Sequence, residues 1–274
     1  PLRGARLEGS KGIIIEWEKK ENINWRSQAS LETCLKKPLD FTDPRAKSIS
    51  QRGDVNKACA VAEKSHQASY SIPHAEHATM EPPAATAVIL GSQCEVWACT
   101  QNPIGARDLA AQILGFKPEA VTVNVTLLGG GFGRKSKPDF VGEAALLAKL
   151  TGKPVKVTWS REDTTRNGYY HALSVQHYKA GLDKSGNIKV LLSTVASPSI
   201  GSVFGKDKDY MQGWEHGQGF SNIHYNIPNV QAYNLPAPAH TRIGWMRSVY
   251  NINHAFALNS FVDELAHINR RDPL

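Results

Sequence analysis

Three consecutive runs decide the fold class: Ala120-Val-Thr-Val-Asn-Val-Thr-Leu-Leu128, Gly129-Gly-Gly-Phe-Gly133, and Asp139-Phe-Val-Gly-Glu-Ala-Ala-Leu-Leu147. The first alternates β-branched and polar residues, the pattern of a strand. The third begins a helix at Asp139 that lines Val141, Ala144, Ala145 and Ala148 along one stripe, and Gly152-Lys153-Pro154 stops it. Between them, consecutive glycines accept positive φ and let the backbone approach another molecule with no Cβ in the way. The exposed N–H groups of such a turn form a concavity for oxygen anions. Gly129–Gly133 is therefore read as a backbone-mediated cofactor site, with Phe132 wedging the loop or facing a ligand ring. The plain alternative, a tight turn, stays open on spacing alone. Two phosphate-binding templates fail: Arg134 separates Gly133 from Lys135, and no third glycine completes a GxGxxG register.

Outward from this centre, strands and helices are mixed. Ser69–Ile72 is a strand ended by Pro73. Ala84–Leu90 and Glu95–Cys99 form a hairpin across Gly91-Ser92. Pro103 opens a helix with Leu109, Ile113 and Leu114 on one face, and Gly115 closes it. Val155–Trp159 is a strand, and Tyr170–Leu182 pairs with Ile188–Ala196 across the turn-rich Asp183–Asn187. Residues 200–222 lack periodicity and read as loop. Val230–Asn234 and Ile243–Val249 are weaker strands, and Asn253–Asn269 is an amphipathic helix carrying Phe256, Phe261 and Leu265. Residues 1–65 read as an irregular segment linking from an upstream domain. It holds a short strand at Gly12–Trp17, a broken polar stretch from Glu21 to Val55, and a helix capped by Asp54 that runs through Ala60 and Glu63. The expected class is α+β with mixed and antiparallel sheets and packed helices, with residues 66–274 as one domain.

With 274 residues, 41% of them hydrophobic, the chain has enough apolar material for a sizeable core. No apolar run reaches the roughly 18–20 residues of a membrane span. The first residue is Pro1, so the chain is expected to be a piece of a longer one. A net charge of +7 comes without any nucleic-acid-binding motif, which disfavours a nucleic-acid partner and suits an anionic cofactor or an acidic subunit. Cys34, Cys59, Cys94 and Cys99 form no CxxC pair and are expected to be buried small hydrophobes. His74, His77 and Glu81 have a loosely metal-like spacing, but on a Pro-bounded turn they read as structural, and no metal site is expected. Tyr169, Tyr170 and His171 read as packing, and Trp214-Glu215-His216-Gly217 is a candidate lining for a substrate funnel.

Leu128-Gly-Gly-Gly-Phe-Gly-Arg-Lys135 resembles the signature of the molybdenum-pterin hydroxylases, the xanthine dehydrogenase and aldehyde oxidase family, in their large subunit. Other stretches agree in order. Trp97-Ala-Cys-Thr-Gln101-Asn-Pro103 resembles the family's tryptophan-to-glutamine segment, and His77-Ala-Thr-Met-Glu81-Pro82 its preceding turn. Gly244-Trp-Met-Arg247-Ser248, followed by Ala255-Phe-Ala257 and Phe261-Val-Asp-Glu-Leu-Ala266, resembles its arginine loop and helix. Arg134 and the Arg247-Ser248 pair are most similar to the branch that holds the isoquinoline 1-oxidoreductase large chain, its beta subunit. The resemblance covers about residues 53–274 and points to the first molybdenum cofactor-binding domain.

The resemblance implies a molybdenum-pterin cofactor, in a dinucleotide form, in an oxidoreductase that hydroxylates aldehydes or N-heterocycles with water as oxygen source. Gln101 then corresponds to the glutamine whose amide donates to an oxo ligand, Gly130, Gly131, Phe132 and Gly133 to the segment against the cofactor, and Arg247 to the arginine facing cofactor and substrate. Residue by residue the alternatives are a strand-end turn for Gln101 and a surface ion pair for Arg247. Ser136 stands where many relatives carry a substrate-binding glutamate, which argues against purine-like recognition. The resemblance places the general-base glutamate downstream of Leu274, and 2Fe-2S clusters on a small partner subunit. It also implies contact with the remainder of the large subunit, a cytochrome as candidate electron acceptor, and a periplasmic setting for this branch. The rival reading is a glycine-loop module that binds a nucleotide or phosphate, or docks a subunit, without catalysis.

Overall fold

In the strand Gln93–Ala98, Cys94, Val96 and Ala98 are buried while the residues between them are exposed, so a single face meets the core. The computed structural model describes residues 41, 43–203, 209–239 and 241–273. Their strands are β1 (Lys47–Arg52), β2 (Lys64–Ile72), β3 (Ala84–Leu90), β4 (Gln93–Ala98), β5 (Val121–Val125), β6 (Val155–Thr158), β7 (Ser174–Leu182), β8 (Ile188–Ala196) and β9 (Asn229–Leu235). The helices are α1 (Val55–Ala60), α2 (Pro103–Leu114), α3 (Asp139–Thr151), α4 (Arg161–Asn167), α5 (Gly213–His216) and α6 (Asn251–Ile268).

Two mixed sheets result. The smaller runs β5-β4-β3-β6, with β5 parallel to β4 and the other pairs antiparallel. The larger runs β1-β9-β8-β7-β2, with β8 and β9 parallel. This is the α+β arrangement expected, with helices packed on the sheets. Helices α2 and α3 cover one face of the smaller sheet through small residues such as Ala106, Ala110, Ala144 and Ala145. Gly142 lets the two helices approach: a Cβ there would meet Ile113 Cδ1 at 2.8 Å. Helix α6 covers the larger sheet, where Phe261 stacks on Tyr178 with ring centroids 5.4 Å apart. Helix ends follow the local chemistry: Asn102 Oδ1 accepts the Gly105 N–H at 2.9 Å, and α2 and α3 stop at left-handed Gly115 and Gly152.

Several expectations change. The helix expected after Asp54 is α1, and Asp54 caps it by accepting the Lys57 N–H, but residues 47–65 also supply β1 and the start of β2, which were not expected. Lys47-Ser-Ile-Ser-Gln-Arg52 has no apolar alternation because it is an outer strand, held by pairing with β9. Ile243–Val249 is not a strand: Ile243 makes one bridge to Tyr170, and the backbone beyond it is occupied by side chains and loops. The strand expected through Leu128 ends at Val125, because Gly129 turns away to bond Glu81. The hairpin strand expected from Tyr170 begins at Ser174. Helix α4 was hidden in a polar stretch but starts at a capping box of Ser160 and Asp163. Cys94 and Cys99 are buried, whereas Cys59 is exposed on α1. Gly12–Trp17 and Cys34 lie outside the described residues.

Candidate functional site

Because β4 and β5 are parallel neighbours, the segments leaving their C-terminal ends emerge side by side. Thr100 and Gln101 follow β4, and the glycine loop follows β5. The two are tied together: the Gln101 N–H and the Thr100 hydroxyl both donate to the Lys135 carbonyl at 3.1 Å. Gln101 Oε1 accepts the Gly133 N–H at 2.9 Å. With that oxygen engaged, the Gln101 Nε2 amine is left as a pair of donors with no acceptor among the described residues. Gln101 is thus more than a turn residue.

The loop needs its glycines at specific places. Gly130 and Gly133 have φ of 89° and 99°, and Phe132 itself sits at 53°. A Cβ on Gly131 would lie 2.3 Å from Gln101 Oε1, and one on Gly133 would lie 2.1 Å from the Trp245 carbonyl oxygen. The Phe132 ring folds back toward Gly130, 3.2 Å from where a Cβ there would sit, so it wedges the loop while remaining partly exposed. The Gly129, Gly133 and Arg134 N–H groups are bonded within the chain, whereas those of Gly130, Gly131 and Phe132 have no acceptor among the described residues. Successive free amides in a turn are an anion-binding concavity.

The arginine loop meets this concavity from the other sheet. Its Arg247 N–H donates to the Phe132 carbonyl at 2.8 Å, and Gly244 N–H to Tyr170 O at 2.9 Å. Arg247 is exposed and makes no ion pair among the described residues. His77 Nε2–H donates to Trp245 O at 2.7 Å, pinning the same loop from below. Burial holds His77 neutral by pushing its pKa down, an effect the Trp245 carbonyl opposes and Arg134 reinforces.

Beneath the loop lies a layer of cations that the net charge alone does not reveal. Arg134 and Lys135 are fully buried. Arg134 forms a two-pronged pair with Asp139, both contacts 3.0 Å, and stacks between Trp159 and Tyr169. Lys135 reaches Glu81 Oε2 at 2.6 Å. Lys137 lies over the Trp245 ring, 4.3 Å from its centroid, and burial pushes its pKa down to about 8, with Asp139 opposing and Arg134 adding. The signal that would have found this layer is a run of cations directly after a glycine turn and before a helix, where solvated lysines have no space.

Other candidates separate. His74 Nδ1–H donates to the His171 carbonyl at 2.8 Å, His77 bonds the Trp245 carbonyl, and Glu81 the glycine loop, so the three serve different segments. Glu215 is buried and accepts the Ile200 N–H at 2.8 Å and the Ser199 hydroxyl at 3.1 Å, which makes it a loop anchor rather than a funnel wall. Ser136 lies in the turn at Arg134–Ser136, where its carbonyl faces Asn102.

The glycine loop and Gln101 therefore present three backbone N–H groups and a neutral side-chain amide, all donors, and the Arg247 backbone is tied to Phe132 beside them. The neighbouring carboxylate oxygen Glu81 Oε2 is already held by Lys135 and Gly129. Such a set suits an electron-rich group bearing oxygen or sulfur atoms.

Comparisons with known proteins agree. The chain is 33% identical over 183 residues to the beta subunit of isoquinoline 1-oxidoreductase from Brevundimonas diminuta, covering 66% of this chain and 23% of that protein. It is 26% identical over 239 residues to a nicotinate dehydrogenase subunit of Pseudomonas putida, covering 85% of this chain and 20% of that one. The chain thus spans about a fifth to a quarter of these relatives. The fold is shared with the aldehyde oxidoreductase of Desulfovibrio gigas at a TM-score of 0.69 and 20% identity, over 88% of this chain and 27% of that one. Quinoline 2-oxidoreductase from Pseudomonas putida 86 aligns at a TM-score of 0.67 and 18% identity, over 88% of this chain and 32% of that one. The family model that matches residues 41–274 is the molybdopterin cofactor-binding domain, and a chain matched over most of its length, with the glycine loop, Gln101 and Arg247 brought together, belongs to that family.

Proposed function

We propose that this chain forms one wall of the molybdenum-pterin site of an oxidoreductase that hydroxylates aldehydes or N-heteroaromatic carbons with oxygen from water. The observation that carries the reading is the convergence of three loops from two sheets: Gln101 on Gly133, and Arg247 on Phe132. When bound, the molybdenum centre supplies a two-electron acceptor and an activated oxygen. The chain's own residues bind and orient. The amides of Gly130, Gly131 and Phe132 would receive electron-rich atoms of the cofactor. The Gln101 Nε2 amide group would donate to an oxygen without adding charge, and Arg247 would hold anionic oxygens in its planar fork. The general base would come from the rest of the large subunit, and 2Fe-2S clusters on a small partner subunit, with a cytochrome as candidate acceptor, would supply the electron path. Because β1 pairs with β9, the cofactor-binding domain is taken to include residues 47–65.

A nucleotide- or phosphate-binding module is not favoured, since the family is built around molybdopterin. Metal and pterin analysis of the full-length protein with its partner subunits tests the proposal. Molybdenum with a pterin is expected, and Gln101→Ala should lower kcat by about 100–1,000-fold, the range for losing one preorganised donor. Tight nucleotide binding without molybdenum would overturn it.

A further inference from the structure

The structure assigns Glu81 and Lys135 a positioning role: together they clamp the neck of the glycine loop and so set the direction of its free amides. This inference rests on the loop being a cofactor wall. The Lys135 ammonium is fully buried and meets Glu81 Oε2 at 2.6 Å. The same oxygen accepts the Gly129 N–H at 2.9 Å, and the Glu81 N–H donates back to the Gly129 carbonyl at 3.0 Å. The residue entering the loop and the residue leaving it therefore meet on one atom.

Glu81 is itself held. The Thr79 hydroxyl donates to the Glu81 carbonyl at 2.7 Å, and Arg161 Nη2 donates to the Thr79 carbonyl. On the far side of the clamp, the Lys135 carbonyl accepts from both Gln101 N–H and Thr100 Oγ1, so any shift of Lys135 reaches Gln101 directly. The clamp thus connects to both donor groups of the proposed site, the loop amides and the glutamine, without touching what they hold. Burial alone would raise the Glu81 carboxyl, but Lys135 and the Gly129 N–H outweigh it and keep the group ionised below the usual carboxylate range. A neutral group at position 81 still accepts the Gly129 N–H but leaves a buried ammonium uncompensated.

The test uses the full-length protein with its partner subunits and three variants: Glu81→Gln, Lys135→Met, and both together. Three readouts are taken: thermal stability, molybdenum and pterin retained per folded chain after dialysis, and hydrogen exchange at the Gly129, Gly133 and Gln101 amides. Glu81→Gln is expected to lower stability, retain at least fivefold less cofactor, and speed exchange at those amides at least tenfold. The double variant removes the orphaned charge, so stability should recover while cofactor retention and amide protection do not. Should Glu81→Gln fail to fold, the double variant carries the test. Recovery of all three properties in the double variant, or unchanged amide exchange in either variant that carries Glu81→Gln, overturns the clamp. If the unsubstituted protein holds no molybdenum, the cofactor reading fails, and the exchange measurement still decides the clamp.

Discussion

A methyl group on Gly133 would sit 2.1 Å from the Trp245 carbonyl, on a residue whose φ is 99°. Neither backbone can yield easily, since one closes the glycine loop and the other is pinned by His77. Gly133→Ala should therefore cost about 3 kcal/mol in urea unfolding, combining backbone strain and overlap. Gly152→Ala is the control: it has φ of 64° with open space around it, so only the left-handed strain of about 1–2 kcal/mol applies. The difference between the two midpoints separates close approach from conformation. The glycine requirement was legible in the sequence, because a glycine run after a β-branched strand has few uses, whereas the Gln101 bond to Gly133 appears only in the structure. The buried Lys135–Glu81 pair was not legible, since its partners stand 54 residues apart at no telling spacing, and only the packing of the loops beyond β4 and β5 brings them together.

Among elements, α2 does two tasks. Its capping residue Asn102 adjoins Gln101, so the helix start and the site are fixed by the same turn. Asn102→Ala should lower stability by about 1 kcal/mol, readable in the urea midpoint, and kcat should fall more than stability alone predicts. Where α2 meets α3, Gly142→Val would drive a branched side chain into Ile113 and Leu109, costing about 1–3 kcal/mol by the same measurement. The ends of both helices were readable from Pro103, Gly115, Asp139 and Gly152, which are local chemistry. Strand β1 was not, because its six residues carry no apolar face and gain their structure from β9. Ile243–Val249 misled for the opposite reason: its apolar residues pack from a loop whose carbonyls and amides serve His77 and Phe132 instead of a ladder.

For the whole molecule, acid is the expected weakness. Burial pushes His254 down from 6.5 to about 3, with the Glu215 backbone opposing and His216 adding, and His77, His171 and His216 also lie low. The unfolded chain takes up these protons near pH 6.5 while the fold refuses them, so stability is full above that pH and declines as pH falls toward 3. For His254 alone the loss is about 2 kcal/mol by pH 5. Urea midpoints should drop between pH 7.5 and 5, and His254→Gln should flatten that dependence. The larger sheet has one more consequence, in the order of synthesis. Its outer strands, β1 and β2, are the first of its five to leave the ribosome, yet β1 pairs with residues 230–234 and β2 with residues 174–182. At roughly 5–20 residues per second, β1 waits on the order of 10–40 s for its partner. A strand that must wait so long next to a growing chain is safest when it is polar, and Lys47-Ser-Ile-Ser-Gln-Arg52 offers a nascent neighbour almost nothing to stick to.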